Sequence, residues 1–212
     1  MRISIHHSIV ITSVFLLHFP VKVKSQPVPE MNNLSGMKPV PEVCMSLTEQ
    51  DIYEKINIYR VEKGLSPIPL SKSLTYVAQT HVRDLTDNDP FKPNRCNLHS
   101  WSSKGSWSSC CYTENQQKAE CMWSKPAELT NYRHSGYEIA FWTDESLSPQ
   151  SFAELAVKCW QKSKGHNEVI VNQNTWKDME WNAMGVGYSD GYAVVWFGVI
   201  PDEDGEIKQC EP

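Results

Sequence analysis

The amino-acid sequence predicts an α+β fold: an α-β-α sandwich with a small central antiparallel sheet, flanked by helices and stapled by disulfides. Three observations predict it. Apolar residues recur at helical spacing in three separate segments, two strand-like runs flank an Asp-Gly pair late in the chain, and seven cysteines follow an apolar leader. At 212 residues the chain is long enough for one domain with a substantial core and hardly long enough for two.

The first helix opens at Ser46-Leu47-Thr48-Glu49, which has the capping-box form of a serine followed three residues on by a glutamate. Ile52, Ile56 and Tyr59 recur at helical spacing until Gly64, a C-terminal stop. A second helix follows Ser71, with Leu74, Val77, Ala78, His81, Val82 and Leu85 on one face. His81 on that apolar face reads as a buried, hydrogen-bonded core histidine rather than as a ligand. Residues 86–135 are rich in loops, serines, prolines and cysteines, a long irregular stretch that disulfides would make tolerable. In the third helix Ser148 is the N-cap, Pro149 suits the first helical position and Gly165 ends it. Its apolar face is expected to hold Phe152, Leu155, Ala156, Cys159 and Trp160, pointing Cys159 toward the core. The runs 184–188 and 192–199 around Ser189-Asp190-Gly191 form a hairpin. The second run is apolar on both faces and is expected as a central strand covered from both sides.

Residues 1–25 read as a secretory signal peptide: Arg2, an apolar run too short for a membrane span, and a cleavage point after Ser25. Residues 26–43 read as a Pro-rich linker or propeptide with a glycosylation sequon at Asn33-Leu34-Ser35, and 44–212 as the folded domain. A secreted chain should pair most of its cysteines. The count is odd, so one is left over, and Cys159 is the candidate. Cys110 and Cys111 are adjacent and should each reach a different partner; no C-x2-C spacing supports a zinc cluster instead. Loss of Arg2, Lys22 and Lys24 with the leader shifts the formal charge from −5 to about −8. Such an acidic chain is a poor binder of nucleic acid and of anionic membranes, and stable membrane insertion is not expected. Neutral lipid or protein partners remain open.

Leu98-His99-Ser100, Gly136-Tyr137-Glu138-Ile139-Ala140, Trp160 with Ser163 and Gly165-His166, then Gly185-Val186-Gly187 and Trp196-Phe197-Gly198, follow one another in a distinctive order. That order resembles the CAP superfamily of cysteine-rich secretory proteins, antigen 5 and pathogenesis-related proteins, over residues 46–200. The spacing Trp160-x-x-Ser163-x-x-His166 is similar to the bacterial-type, SCP-like branch. The resemblance implies a central cleft lined by two histidines and acidic residues, carried here by His99, His166 and Glu138. Ser163 stands where the family often has a second glutamate.

Two neutral imidazoles can ligate a divalent metal, so His99 and His166 are the candidate metal ligands and a labile zinc ion the candidate cofactor. Glu138 could ligate, orient an imidazole or activate water. The competing reading is a hydrogen-bonded polar cluster that holds three loops together. Ser163 as nucleophile, with His166 as base and Glu138 as orienter, would make a hydrolase, but no G-x-S-x-G elbow or oxyanion segment accompanies it. Trp101, Trp107, Trp123, Trp142 and Tyr132 could line a groove for a lipid or a protein. The sequence therefore points to extracellular binding of lipid, sterol, metal or protein, with a metal-assisted or serine hydrolase as the alternative.

Overall fold

A computed structural model describes residues 40–92, 96–116 and 118–211. The leader expected at 1–25, the sequon at Asn33 and most of the linker expected at 26–43 lie outside these described residues.

The elements run β1 (Cys44–Met45), α1 (Leu47–Glu62), α2 (Lys72–Asn88), α3 (Glu120–Trp123), α4 (Lys125–Leu129) and β2 (Gly136–Trp142). They continue with α5 (Pro149–Lys162), α6 (Lys164–Ile170), a 3-10 turn (Asn174–Trp176), β3 (Ala183–Ser189), β4 (Tyr192–Gly198) and β5 (Lys208–Gln209). The capping box at α1 is complete: Ser46 Oγ accepts from Glu49 N–H, and the Glu49 carboxylate accepts from Ser46 N–H at 2.7 Å. Ser71 caps α2 and Ser148 caps α5, with Pro149 at the first helical position. Each cap satisfies backbone donors that the first helical turn leaves without partners.

The central sheet is antiparallel with order β2-β4-β3. β3 and β4 form the expected hairpin, turning through Asp190 (φ 44°) and Gly191 (φ 80°). Positive φ at both central residues is the geometry whose twist matches that of the flanking strands. Every residue of β4 is buried, because its two faces feed two apolar layers. Ala193, Val195 and Phe197 pack with Ile52, Ile56, Phe152 and Trp160 from α1 and α5; Val194 and Trp196 pack with Leu74, Val77, Ala78 and Val82 from α2. The result is the α-β-α sandwich.

Two expectations about α5 need correction. Cys159 is the unpaired cysteine, but it is exposed. The buried positions of α5 are Phe152, Ala153, Ala156, Val157 and Trp160. At 3.6 residues per turn that arc centres near Ala153 and Trp160, and Cys159 falls outside it. Gly165 does not end the helix either. Ser163 leaves helical geometry (φ −81°, ψ 115°), and α6 starts at once with Gly165 inside it.

Three disulfides close the fold: Cys44–Cys210, Cys96–Cys111 and Cys110–Cys121. The adjacent Cys110 and Cys111 thus pull in opposite directions along the chain. The first bond lies beside the parallel pairing of β1 with β5.

Helix α2 lies on β3 at the residues Gly185 and Gly187. A Cβ at Gly185 would stand 2.1 Å from the carbonyl carbon of Leu74, and one at Gly187 would stand 2.4 Å from that of Ala78. These are backbone atoms and cannot swing aside. Gly187→Ala is therefore expected to lose about 1–3 kcal/mol or more through forced separation of helix and sheet. Gly165→Ala, where a Cβ meets nothing within 4 Å, is expected to be neutral or to gain up to about 1 kcal/mol from helix propensity. Urea unfolding midpoints of the two variants test the contrast.

Candidate functional site

Strand β2 is an edge strand, and its alternation divides its side chains between the two layers. Ile139 joins the core beneath α1 and α5, with Tyr137 packed against it, while Ala140 faces the layer of α2. Glu138 shares that second direction, so its carboxylate enters an apolar layer with none of its side chain exposed. A charge placed there needs partners. His81 Nδ1 lies 2.5 Å from Oε2 and His99 Nδ1 lies 2.7 Å from Oε1. Burial alone would raise this carboxyl; the charges and hydrogen bonds of His81 and His99 outweigh it and hold Glu138 below the usual carboxylate range.

His81 comes from the middle of α2 and is fully buried. Its ring stacks on Trp101, centroids 4.2 Å apart and 6° from parallel, and its Nε2 donates to the Ser100 carbonyl at 2.9 Å. The expectation of a buried, hydrogen-bonded histidine is met. What helical spacing could not reveal is that its partner is Glu138.

His99 sits on a loop that the cysteines hold in place. Asn97 N–H donates to the Tyr112 carbonyl at 2.8 Å, Trp101 and Cys110 exchange two backbone hydrogen bonds, and Tyr112 N–H donates to Ser100 Oγ at 2.9 Å. Cys96–Cys111 ties this pair of segments together, and Cys110–Cys121 ties it to α3. From α2, Asp84 accepts from the Ser102 N–H at 2.7 Å. The His99 ring meets Tyr112 edge-on at 5.2 Å. With Nδ1 committed to Glu138, His99 Nε2 has no protein partner among the described residues.

Beside these groups is a cavity of about 360 Å³ lined by His99, Glu138 and His166 together with Trp123, Tyr137 and Trp176. Tyr137 lies 5.6 Å from Trp123 and 5.0 Å from Trp176, ring centre to ring centre, giving the cavity an aromatic wall. Asn97, Glu114, Gln116 and Thr175 supply polar lining. His166 reaches the cavity from α6 and has no hydrogen-bond partner among the described residues.

Ser163 is not among the lining residues, and no hydrogen bond joins it to His166. Of the aromatic residues expected to line a groove, only Trp123 lines this cavity. Trp101 is core, Tyr132 is buried and bonded through its hydroxyl to Ile200, and Trp142 stands half-exposed near the hairpin turn. Tyr137 stands inside the 136–140 motif, whose reading concerned Glu138 alone, and Trp176 carries no motif that spacing would reveal.

Both oxygens of Glu138 are engaged by imidazoles, His81 at Oε2 and His99 at Oε1. Among the described residues no group of three or more His, Cys, Asp or Glu side chains is placed to hold a metal ion. The described residues therefore do not form a closed structural metal site, and His99 and His166 are the imidazoles that share this cavity.

Three solved structures are similar to this chain: an extracellular protein containing a SCP domain from Bacillus anthracis, an outer surface protein from Borrelia burgdorferi and a cysteine-rich secretory protein from Staphylococcus aureus. Identities are 19%, 18% and 17%, and TM-scores are 0.49, 0.45 and 0.40. In each case 71% of this chain is covered, against 39%, 93% and 37% of the other. This chain thus spans about two fifths of the Bacillus and Staphylococcus proteins. No protein of curated function matches significantly. Residues 53–197 match the model of CAP, the Cysteine-rich secretory protein family, and the chain belongs to that family.

Proposed function

We propose that this CAP protein acts outside the cell as a binding protein whose cleft takes a divalent cation, zinc first, through His99 Nε2 and the His166 imidazole. The observation supporting it is the double engagement of Glu138, which leaves His99 Nε2 as an unused lone pair in the same cavity as His166. A carboxylate on the far nitrogen of a ligating imidazole fixes its tautomer and raises its basicity. When bound, the ion would supply positive charge for a carboxylate or carbonyl of a further ligand. The wall of Trp123, Tyr137 and Trp176 supports an organic portion beside that ion, such as a lipid, a sterol or a partner's side chain.

The extracellular setting rests on the three disulfides, which belong to oxidising compartments. Among the described residues no helix is long and apolar enough to cross a membrane. Serine hydrolysis has little support, since Ser163 stands outside the cavity lining. Metal-assisted hydrolysis becomes worth screening once metal uptake is seen.

Calorimetric titration with zinc at neutral pH tests the proposal. Uptake by the parent and its loss in a His99→Ala/His166→Ala variant is the expected result. A parent that takes up no zinc would overturn it.

His166 also sets a pH dependence. Burial first, and the charge of His99 second, push its pKa from 6.5 down to about 4. The unfolded chain therefore binds a proton in a range where the folded chain does not. Stability is full above pH 6.5 and falls as the pH drops toward about 4. Glu138, whose pKa is lowered from 4.5, adds its own loss only once the pH falls below that value. Between pH 7 and pH 5 the urea midpoint of the parent should fall more than that of His166→Gln. Equal falls would contradict the assignment.

A further inference from the structure

We propose a second binding site, for a small organic cation that carries ammonium groups on an aliphatic stem. It lies at the end of the sheet where β2 stops and the β3-β4 hairpin turns. It shares no lining residue with the histidine-lined cavity and does not rest on the function given to that cavity.

The site is a cavity of about 540 Å³, within the range that takes small-molecule ligands. Four carboxylates line it: Asp89 at the end of α2, Asp144 and Glu145 after β2, and Asp190 in the hairpin turn. No lysine, arginine or histidine is among its lining residues. A cleft lined by charge of one sign concentrates counter-ions. Lys92 shows which kind suits it, since its ammonium pairs with Asp89 at the rim. Both partners of that pair are exposed, so it is weak, and an incoming ammonium can take its place.

The aromatic lining points the same way. Trp142 and Tyr192 are register partners at the last rung of the β2-β4 pair, with ring centres 6.0 Å apart. Trp142 is 48% exposed, so the core leaves much of its indole uncovered, and indole is the side chain that attracts a cation most strongly. Thr143 N–H donates to the Gly191 carbonyl at 3.1 Å, which ties the end of β2 to the turn and holds Trp142 in place. Only 8% of Tyr192 is exposed, and its hydroxyl has no hydrogen-bond partner among the described residues. That oxygen is nevertheless not sealed from solvent; it opens on the cavity that the residue lines. Burial first, and then the charge of Asp89, push the hydroxyl above the ordinary tyrosine value, with Lys92 opposing and Asp190 adding. It therefore stays neutral, and its lone pairs suit the N–H of an ammonium.

The carboxylates do not converge on a point. No three His, Cys, Asp or Glu side chains among the described residues are placed to hold a metal ion. A divalent metal needs oxygens gathered around it at short range. Carboxylates spread around a cavity, with an indole beside them, suit separated charges joined by an apolar stem.

The probe is spermidine, a linear alkyl polyamine, titrated calorimetrically into the parent at neutral pH. The buffer holds about 0.15 M sodium chloride, where attraction between exposed charges fades beyond about 8 Å. Saturable binding of one molecule per chain is the expected result. Trp142→Ala, at an exposed ring, should weaken it about 3- to 30-fold. Tyr192→Phe, which keeps its ring and loses only the hydroxyl, should weaken it about 10-fold or more. The His99→Ala/His166→Ala variant should bind spermidine as the parent does, which separates this site from the zinc cleft. A parent that takes up no spermidine overturns the inference. So does affinity unchanged in both Trp142→Ala and Tyr192→Phe, the mark of diffuse attraction to a negative surface. Calcium that displaces spermidine at equal concentration would make the cluster a metal site and overturn it as well. A lysine-rich peptide that binds where spermidine does not would assign the face to a protein partner instead. If Trp142→Ala fails to fold, Tyr192→Phe decides by the same criterion.

Discussion

A carboxylate enclosed in an apolar layer is the constraint to which much of this molecule responds. Glu138 sits between Tyr137 and Ile139, which turn toward the opposite layer, so strand alternation leaves its side chain a single direction. Satisfying it takes one imidazole from α2 and one from a disulfide-bound loop. Helix, strand and loop therefore meet at one charge. The hydrogen-bonded polar cluster and the cavity are thus built from the same residues. The bonds that fasten the loop also orient the nitrogen that faces the cavity.

The fit depends on how closely α2 can approach the sheet. Glycines at 185 and 187 let the helix backbone rest directly on β3. From that seat His81 leans on Trp101, which stands edge-on to Trp196 at 6.5 Å. Trp196 is in turn the register partner of Glu138 across the β2-β4 pair. Glycine spacing in one strand is thereby linked, through two indoles, to the carboxylate on another. Close-packed interiors transmit such placements because they have little slack to absorb them.

Local chemistry made part of this legible. Ser46 with Glu49, Ser71, Ser148 with Pro149, and the Asp190-Gly191 turn each act within a few residues, so sequence alone carries their meaning. His99, Glu138 and His166 stood out through an ordered set of motifs, and they do line one cavity. Long-range pairings were less accessible. Helical spacing placed His81 on a buried face, but its partner lies 57 residues away on a strand. The same spacing misjudged Cys159, because Leu155 and Cys159 lie at the margin of an apolar arc whose true centre depends on where α1 packs. Ser163 followed a motif position, yet a break between α5 and α6 at that residue turns it out of the cavity lining. Tyr137 and Trp176 meet only once the 3-10 turn is folded beside β2.

The bond between Cys44 and Cys210 gives the folded unit the topology of a ring, with 166 positions separating its two cysteines. One broken peptide bond anywhere between them opens the ring but does not yield two molecules. The exposed serine-rich segment between Trp101 and Cys110 lies inside this ring, as do both halves of the cleft. A nicked protein would thus keep all its site-forming elements on one covalent framework. Their reassembly would be governed by a local effective concentration rather than by dilution into the surrounding fluid.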